Sequence, residues 1–187
     1  MYFNDSNKTY VLLDIEGNSS KEIDQRRITQ FAAIVFKDGK FEELSWKNRN
    51  VNYINSYVQK LNKITLQDCK SHGLSERNLV LRIHDLLSKA DYIYAYGCDF
   101  DKNIIKIMFE KYELKQLEIP WYDVIEDVKK YLNPSKNKLS IAASEYGFIE
   151  TSYHDAMTDC KATLYLMKTI EQIREICKWL ISSVLET

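Results

Sequence analysis

Between Thr9 and Lys47 three strand-like segments follow one another with almost no room for anything else, and this run does most to limit what the chain can become. Residues 9–17, TYVLLDIEG, are rich in β-branched and aromatic side chains and end at Gly17, the pattern of a strand. Residues 26–47, RRITQFAAIVFKDGKFEELSWK, read as two strands joined at Lys37-Asp38-Gly39-Lys40, because Asp-Gly is a strong hairpin signal. Three antiparallel strands therefore open the fold. Beyond residue 54 the apolar spacing becomes helical, with Leu79, Ile83, Leu86 and Leu87 on one face after a candidate Ser75 cap. A short strand over 91–97 leads into a helix over 99–114, whose apolar face carries Ile104, Ile105, Met108 and Phe109. A last short strand is expected over 120–124, then helical runs over 139–147, 154–173 and 174–185. Antiparallel strands followed by strands alternating with helices point to an α/β layer with a mixed sheet.

The composition suits one domain over residues 1–187: 45% of the residues are hydrophobic, and 5 Gly and 2 Pro leave no linker or low-complexity segment. No apolar run approaches the roughly 20 residues needed to span a bilayer. The opening MYFNDSNKTY lacks the layout of a signal peptide, so a cytoplasmic location and no membrane partner are expected. Cys69, Cys98, Cys160 and Cys177 are widely spaced with no C-x-x-C pair, which favours free buried thiols over a zinc knuckle or a disulfide scaffold. A net charge of −1 gives no footprint for gripping a long duplex. It leaves room for a cleft that takes a short nucleic-acid end.

Two acidic patterns stand out. Asp14 and Glu16 alternate along the first strand and so share a face near its carboxyl end, about 7 Å apart at Cα. In open α/β sheets ligands bind at that end. A lone D-x-E is common on fraying surface strands and gains meaning only in company. Its company is Asp101 and the segment HDAMTDCKAT, residues 154–163. Asp101 falls on the face of Ile104, Ile105 and Met108, where a carboxylate is costly unless paired or bound to a cation. In the later segment, Asp155 suits a helix cap. Asp159 lies four residues on, where a second like charge is unfavourable without something positive nearby. It sits beside a packing stripe of Ala156, Cys160, Thr163, Met167 and Ile170.

Taken together, Asp14-x-Glu16, Phe100-Asp101 and His154-Asp155-Ala156-x-x-Asp159 resemble the motifs of the DEDDh 3′–5′ exonucleases, a family within the ribonuclease H-like superfamily. Further similarities are RRITQFAAIVF to the second strand, LNKIT (61–65) to a loop that often reads L-T-G-I-T, and KLSIAASEYGF (138–148) to the helix before the histidine. The resemblance covers about residues 9–173. It departs at Gly17, where many members have threonine, and at Tyr96-Gly97, where many have His-Asn. The aromatic-glycine pair looks more like the branch that processes histone mRNA and small RNAs, a slight lean toward RNA.

The resemblance implies hydrolysis of single-stranded or frayed 3′ ends of RNA or DNA to nucleoside 5′-monophosphates, with two Mg²⁺ or Mn²⁺ ions. Such hard cations take oxygen ligands. By this resemblance Asp14 would bridge both ions, Glu16 and Asp159 would complete the first, and Asp101 would hold the second through water. His154 would take the proton of the attacking water. Ile15, Gly17, Leu61, Ile64 and Phe100 would contact substrate, Leu61 and Ile64 as a wedge against the terminal base. A different class of function remains: a catalytically idle relative that binds nucleic acid or a protein through the same fold. For His72 and His84 a surface or structural role is the plainer reading, and most of the 13 tyrosines fall at core periods.

Overall fold

The computed structural model describes residues 2–22, 25–150 and 154–185. Three strands do open it: β1 (Tyr10–Gly17), β2 (Ile28–Lys37) and β3 (Lys40–Lys47), each antiparallel to the next. The turn between β2 and β3 has Asp38 at φ 51° and Gly39 at φ 72°. A type I′ turn needs both central residues left-handed, and Asp and Gly tolerate this best. β4 (Tyr92–Ala95) then joins the other edge of β1 in parallel, and β5 (Trp121–Asp123) joins β4 in parallel. The order β3-β2-β1-β4-β5 makes the mixed sheet of a ribonuclease H-like α/β fold, with β1 at its centre.

The helical region beyond residue 54 resolves into three helices: α1 (Ser56–Asn62), α2 (Leu66–His72) and α3 (Glu76–Ser88). Local chemistry sets the breaks. Lys63 ends α1 at φ 57°, Thr65 and Asp68 form a reciprocal capping box on α2, and Ser75 caps α3 as expected. α4 is Asp99–Lys111, and α5 (Val124–Asp127) runs on into a π-helical stretch, Val128–Leu132, that the sequence reading did not foresee. α6 (Leu139–Glu145) is followed by α7, one continuous helix from Ala156 to Leu185 where two runs were expected.

The alternation of β1 sorts the core into two layers. Val11, Leu13 and Ile15 face α3 and α4, packing with Leu79, Ile83, Leu87, Ile104, Met108 and Phe109. Tyr10 and Leu12 face α7, packing with Ala156, Cys160, Leu166, Met167 and Ile170. The expected stripe on α7 is therefore a packing face, and it places the amino end of that helix over the carboxyl half of β1. On the opposite layer Glu76 is buried but paired, accepting from Arg27 at 3.0 Å, from the Lys111 ammonium and from Tyr112 Oη at 2.8 Å. Cys69, Cys98 and Cys160 are buried, whereas Cys177 is exposed, correcting the expectation for that thiol. It lies in the distal half of α7, where Ile176 and Trp179 also face solvent. Among the described residues no helix is long and apolar enough to cross a membrane.

Candidate active site

The carboxyl end of β1 brings the two sequence patterns together. Asp14 and Glu16 point to the α7 side, opposite Ala32 and Gln30 of β2, and a register shift between Glu16 and Gly17 ends the regular ladder. From α7 comes Asp159, in the first turn, with His154 just before the helix. Ligand atoms of Glu16, His154 and Asp159 all lie within 4.8 Å of one another. Asp159 also accepts from the His154 backbone N–H at 3.4 Å. His154 itself sits at φ 72°, a region a non-glycine residue occupies only when its surroundings hold it there.

Asp101 enters from the first turn of α4. It is 4% exposed, which confirms that its face is the inward one, and its Oδ1 is buried without a hydrogen-bond partner. A buried unpartnered carboxylate oxygen is rare and demands a reason. α4 is aimed by Asp123 at the end of β5, whose carboxylate accepts from Gly97 N–H at 2.8 Å and Cys98 N–H at 3.1 Å. Gly97 turns the chain from β4 into α4 at φ 74°. Asp99, which by its place at the start of the helical pattern could cap the helix, plays no such part: it is exposed as the first helical residue, and Cys98 at the cap position makes no side-chain cap bond. Asp155, by contrast, does cap its helix, accepting from Met157 N–H at 3.2 Å and Thr158 N–H at 3.3 Å.

These acids raise one another's proton affinity. Burial, and then the charges of Asp101, Asp159 and Glu16, hold the Asp14 carboxyl well above the ordinary range, although part of its surface meets solvent. Burial pushes Glu16 up to about 7, against an opposing hydrogen bond from Asn62. Asp101 rises to about 8 by burial, opposed by backbone N–H groups, and Asp159 to about 6 by burial. His154 moves the other way: burial and the nearby Lys138 lower its pKa, so the imidazole is neutral near pH 7. Four carboxylates that resist ionising together, one with an orphaned oxygen and none with a described lysine or arginine in salt-bridge contact, fit divalent cations with oxygen ligands.

The remaining expected residues are dispersed. Ile15 is 5% exposed and belongs to the core layer under α4, while Ile64 is 3% exposed and packs with Val51, Ile54 and Cys69. Of the expected wedge, only Leu61 keeps accessible surface. Gly17 is buried against Phe100, whose ring is half exposed; a Cβ at Gly17 would come within 2.9 Å of Phe100 Cζ. His84 is structural, its Nε2 3.1 Å from the Lys115 carbonyl, and His72 is exposed.

Sequence reasoning passed over three polar residues that hold the site. Asn62 Nδ2 donates to Glu16 Oε2 at 3.2 Å while its Oδ1 accepts from Ile64 N–H. Asp123 holds the start of α4. Gln30 joins β2 to α7, and a polar residue inside the apolar run ITQFAAIVF was its available signal.

Comparison with known proteins agrees with this geometry. Residues 11–167 match the RNase T family, described as an exonuclease. A curated relative, the PolC-type DNA polymerase III of Listeria monocytogenes, is 24% identical over 175 residues, 90% of this chain and 12% of that protein. Among solved structures, E. coli exonuclease I with a dT13 oligonucleotide superposes with a TM-score of 0.77 at 20% identity, covering 93% of this chain and 43% of the other. The zinc-bound complex of the same enzyme with single-stranded DNA gives 0.76 at 20% identity, covering 94% and 43%. The chain thus spans less than half the length of these relatives. The family match extends from the second residue of β1 into α7 and takes in all five site residues: this chain belongs to the RNase T exonuclease family.

Proposed function

We propose that the chain is a metal-dependent 3′–5′ exonuclease that hydrolyses single-stranded or frayed 3′ ends, of DNA or RNA, to nucleoside 5′-monophosphates. The observation that carries this reading is the convergence of Asp14, Glu16, Asp101, Asp159 and His154 at one end of β1, with Asp101 Oδ1 left unpartnered. Asp14, Glu16 and Asp159 would hold one cation and Asp14 and Asp101 a second, Mg²⁺ or Mn²⁺. When bound, such a pair supplies the positive charge that stabilises the attacking and leaving oxygens of an in-line displacement.

The chain's own groups supply the rest. A neutral His154 accepts the proton of the attacking water at a ring nitrogen, and its location beside Glu16 and Asp159 suits that transfer. Asn62 fixes the Glu16 carboxylate through its amide. Phe100 offers a half-exposed ring on which the terminal base can stack, and Leu61 offers a smaller apolar surface. The single-stranded DNA bound to exonuclease I in the similar structures supports a single-stranded substrate for this chain too.

The test is a product ladder from end-labelled DNA and RNA oligomers incubated with Mn²⁺ or Mg²⁺. Stepwise 3′ shortening with release of 5′-monophosphates is expected, and the relative rates on DNA and RNA assign the preferred sugar. Internal cleavage fragments, or no product from either polymer, would defeat the reading.

A further inference from the structure

β2 is a strand of buried apolar residues with an amide in it: Gln30 is 3% exposed among Ile28, Phe31, Ala32, Ala33 and Ile34. A buried amide is costly unless its polar atoms are paired. Its Nε2 donates to Asp155 Oδ2 at 3.0 Å and to Ser45 Oγ at 3.2 Å, and its Oε1 accepts from Ala156 N–H at 3.4 Å. Asp155 uses its other oxygen for Met157 and Thr158 N–H. The N–H groups of all three opening residues of α7, which have no partner within a helix, are thus held by one Gln30-Asp155 unit. Gln30 is also the direct partner of Glu16 across the β1-β2 ladder, so the clamp and a candidate metal ligand stand side by side on one sheet face. Immediately before the clamp lies His154, in a left-handed conformation that needs outside support.

We propose, resting on the exonuclease reading, that Gln30 is a positioning residue: through Asp155 it locks the first turn of α7 to the sheet beside Glu16, and so holds the His154 imidazole where it can act. The amide is specific. Its N–H face meets a carboxylate and its carbonyl meets an N–H, so a glutamate of the same shape would set two carboxylates against each other. Exchanging both partners, Gln30→Glu with Asp155→Asn, restores a donor facing an acceptor and keeps the net charge. In that double exchange the Ala156 N–H still finds an oxygen on the β2 side chain, now a carboxylate, and the new amide carbonyl before α7 still caps Met157 and Thr158.

The experiment compares the parent, Gln30→Glu, Gln30→Met and the double exchange, each as the full chain, in kcat and KM on a labelled oligonucleotide with Mn²⁺. Misplacing a reacting group by about 1 Å costs on the order of 10²-fold in rate. Gln30→Glu is expected to lower kcat by about that factor with KM within about threefold, and the double exchange to recover about tenfold or more. Gln30→Met, which removes the clamp without adding charge, should lose kcat at unchanged KM; it serves if Gln30→Glu does not fold. A parent-like kcat in the single variants, a loss matching only the unfolded fraction, or no recovery in the double exchange overturns the proposal. If the parent itself hydrolyses nothing, the exonuclease reading has failed, and positioning is judged by NMR. Faster amide exchange at Ala156, Met157 and Thr158 with a shifted His154 imidazole signal, both reversed by the double exchange, would uphold the clamp. Unchanged signals would overturn it.

Discussion

Asp99 and Asp101 stand two positions apart at the start of α4 and have opposite surroundings. Asp101 is buried with an orphaned oxygen, so its charge opposes the metal-free fold, and under the proposed reading a bound cation would offset it. Asp101→Asn keeps the volume and removes that charge: hydrolysis should disappear, while the melting temperature in EDTA should hold or rise. A fall of several degrees would mean that the carboxylate supports the fold. Asp99 faces solvent and caps nothing, so Asp99→Ala should change stability by less than about 0.5 kcal/mol and leave turnover near the parent's. The chain entering α4 is held instead by Asp123, which accepts from Gly97 and Cys98 N–H and also caps α5 through Ile125 N–H. Losing such a cap costs about 1–2 kcal/mol, and Asp123→Ala should do so while slowing hydrolysis by loosening Asp101. Urea titration of the three variants, with turnover measured in parallel, separates these roles.

Among the elements, the segment before β1 acts as a strap. The Tyr2 backbone N–H donates to Glu171 of α7 at 2.6 Å, and its hydroxyl donates to Asp127 at the junction of α5 and the π-helical stretch. Its ring meets Tyr94 edge-on with centroids 5.7 Å apart, and Phe3 adds edge contacts to Tyr10 and Tyr94. Three elements with no sequence adjacency are thereby tied across one sheet face. Truncating a buried aromatic typically costs about 3–5 kcal/mol, and Tyr2→Ala should approach the lower figure because its backbone bond survives. Tyr2→Phe should lose only about 1–2 kcal/mol, the cost of leaving Asp127 without its donor. Equal stabilities for the parent and Tyr2→Ala in chemical denaturation would show that the strap holds nothing.

At the scale of the whole molecule, charge balance makes stability depend on pH in opposite senses at two places. The site acids have raised folded pKa values: about 6 for Asp159, about 7 for Glu16 and about 8 for Asp101, with Asp14 also raised. The metal-free folded state therefore binds more protons than the unfolded chain above pH 4, and stability should fall as pH climbs from about 5 through 8. Glu76 has the opposite sign. Burial alone would raise its pKa, but hydrogen bonds from Lys111 and Tyr112 win and hold it low, so its contribution is lost as pH drops through the acid range. Melting temperatures in EDTA should peak near pH 5 and decline toward pH 8. Excess Mn²⁺ should remove that decline, because the ion favours the ionised carboxylates and binds only the folded site. Superimposable curves with and without Mn²⁺ would show that the four acids do not form a cation site.

Local rules were enough for much of this. The Asp38-Gly39 turn, the alternation in β1, the Ser75 and Asp155 caps and the stripe on α7 are set by residues within a few positions of one another, so the sequence alone determined the opening strands, the mixed α/β order and the inward face of Asp101. Motif order added the five candidate site residues, because a shared pattern of acids and a histidine leaves a trace even when 140 positions separate Asp14 from His154. What the sequence could not determine depends on partners far along the chain. Asp99 is as good a local cap as Asp155 by sequence, but α4 begins at Asp99 itself, and β5 delivers Asp123 to hold the chain just before it through the Gly97 and Cys98 N–H groups. Gln30 is a misplaced polar residue until α7 arrives over β2, and Ile64 reads as a surface wedge until Val51 and Ile54 close around it. A side chain's identity fixes what it can bond; only the tertiary structure decided which partner reached it first.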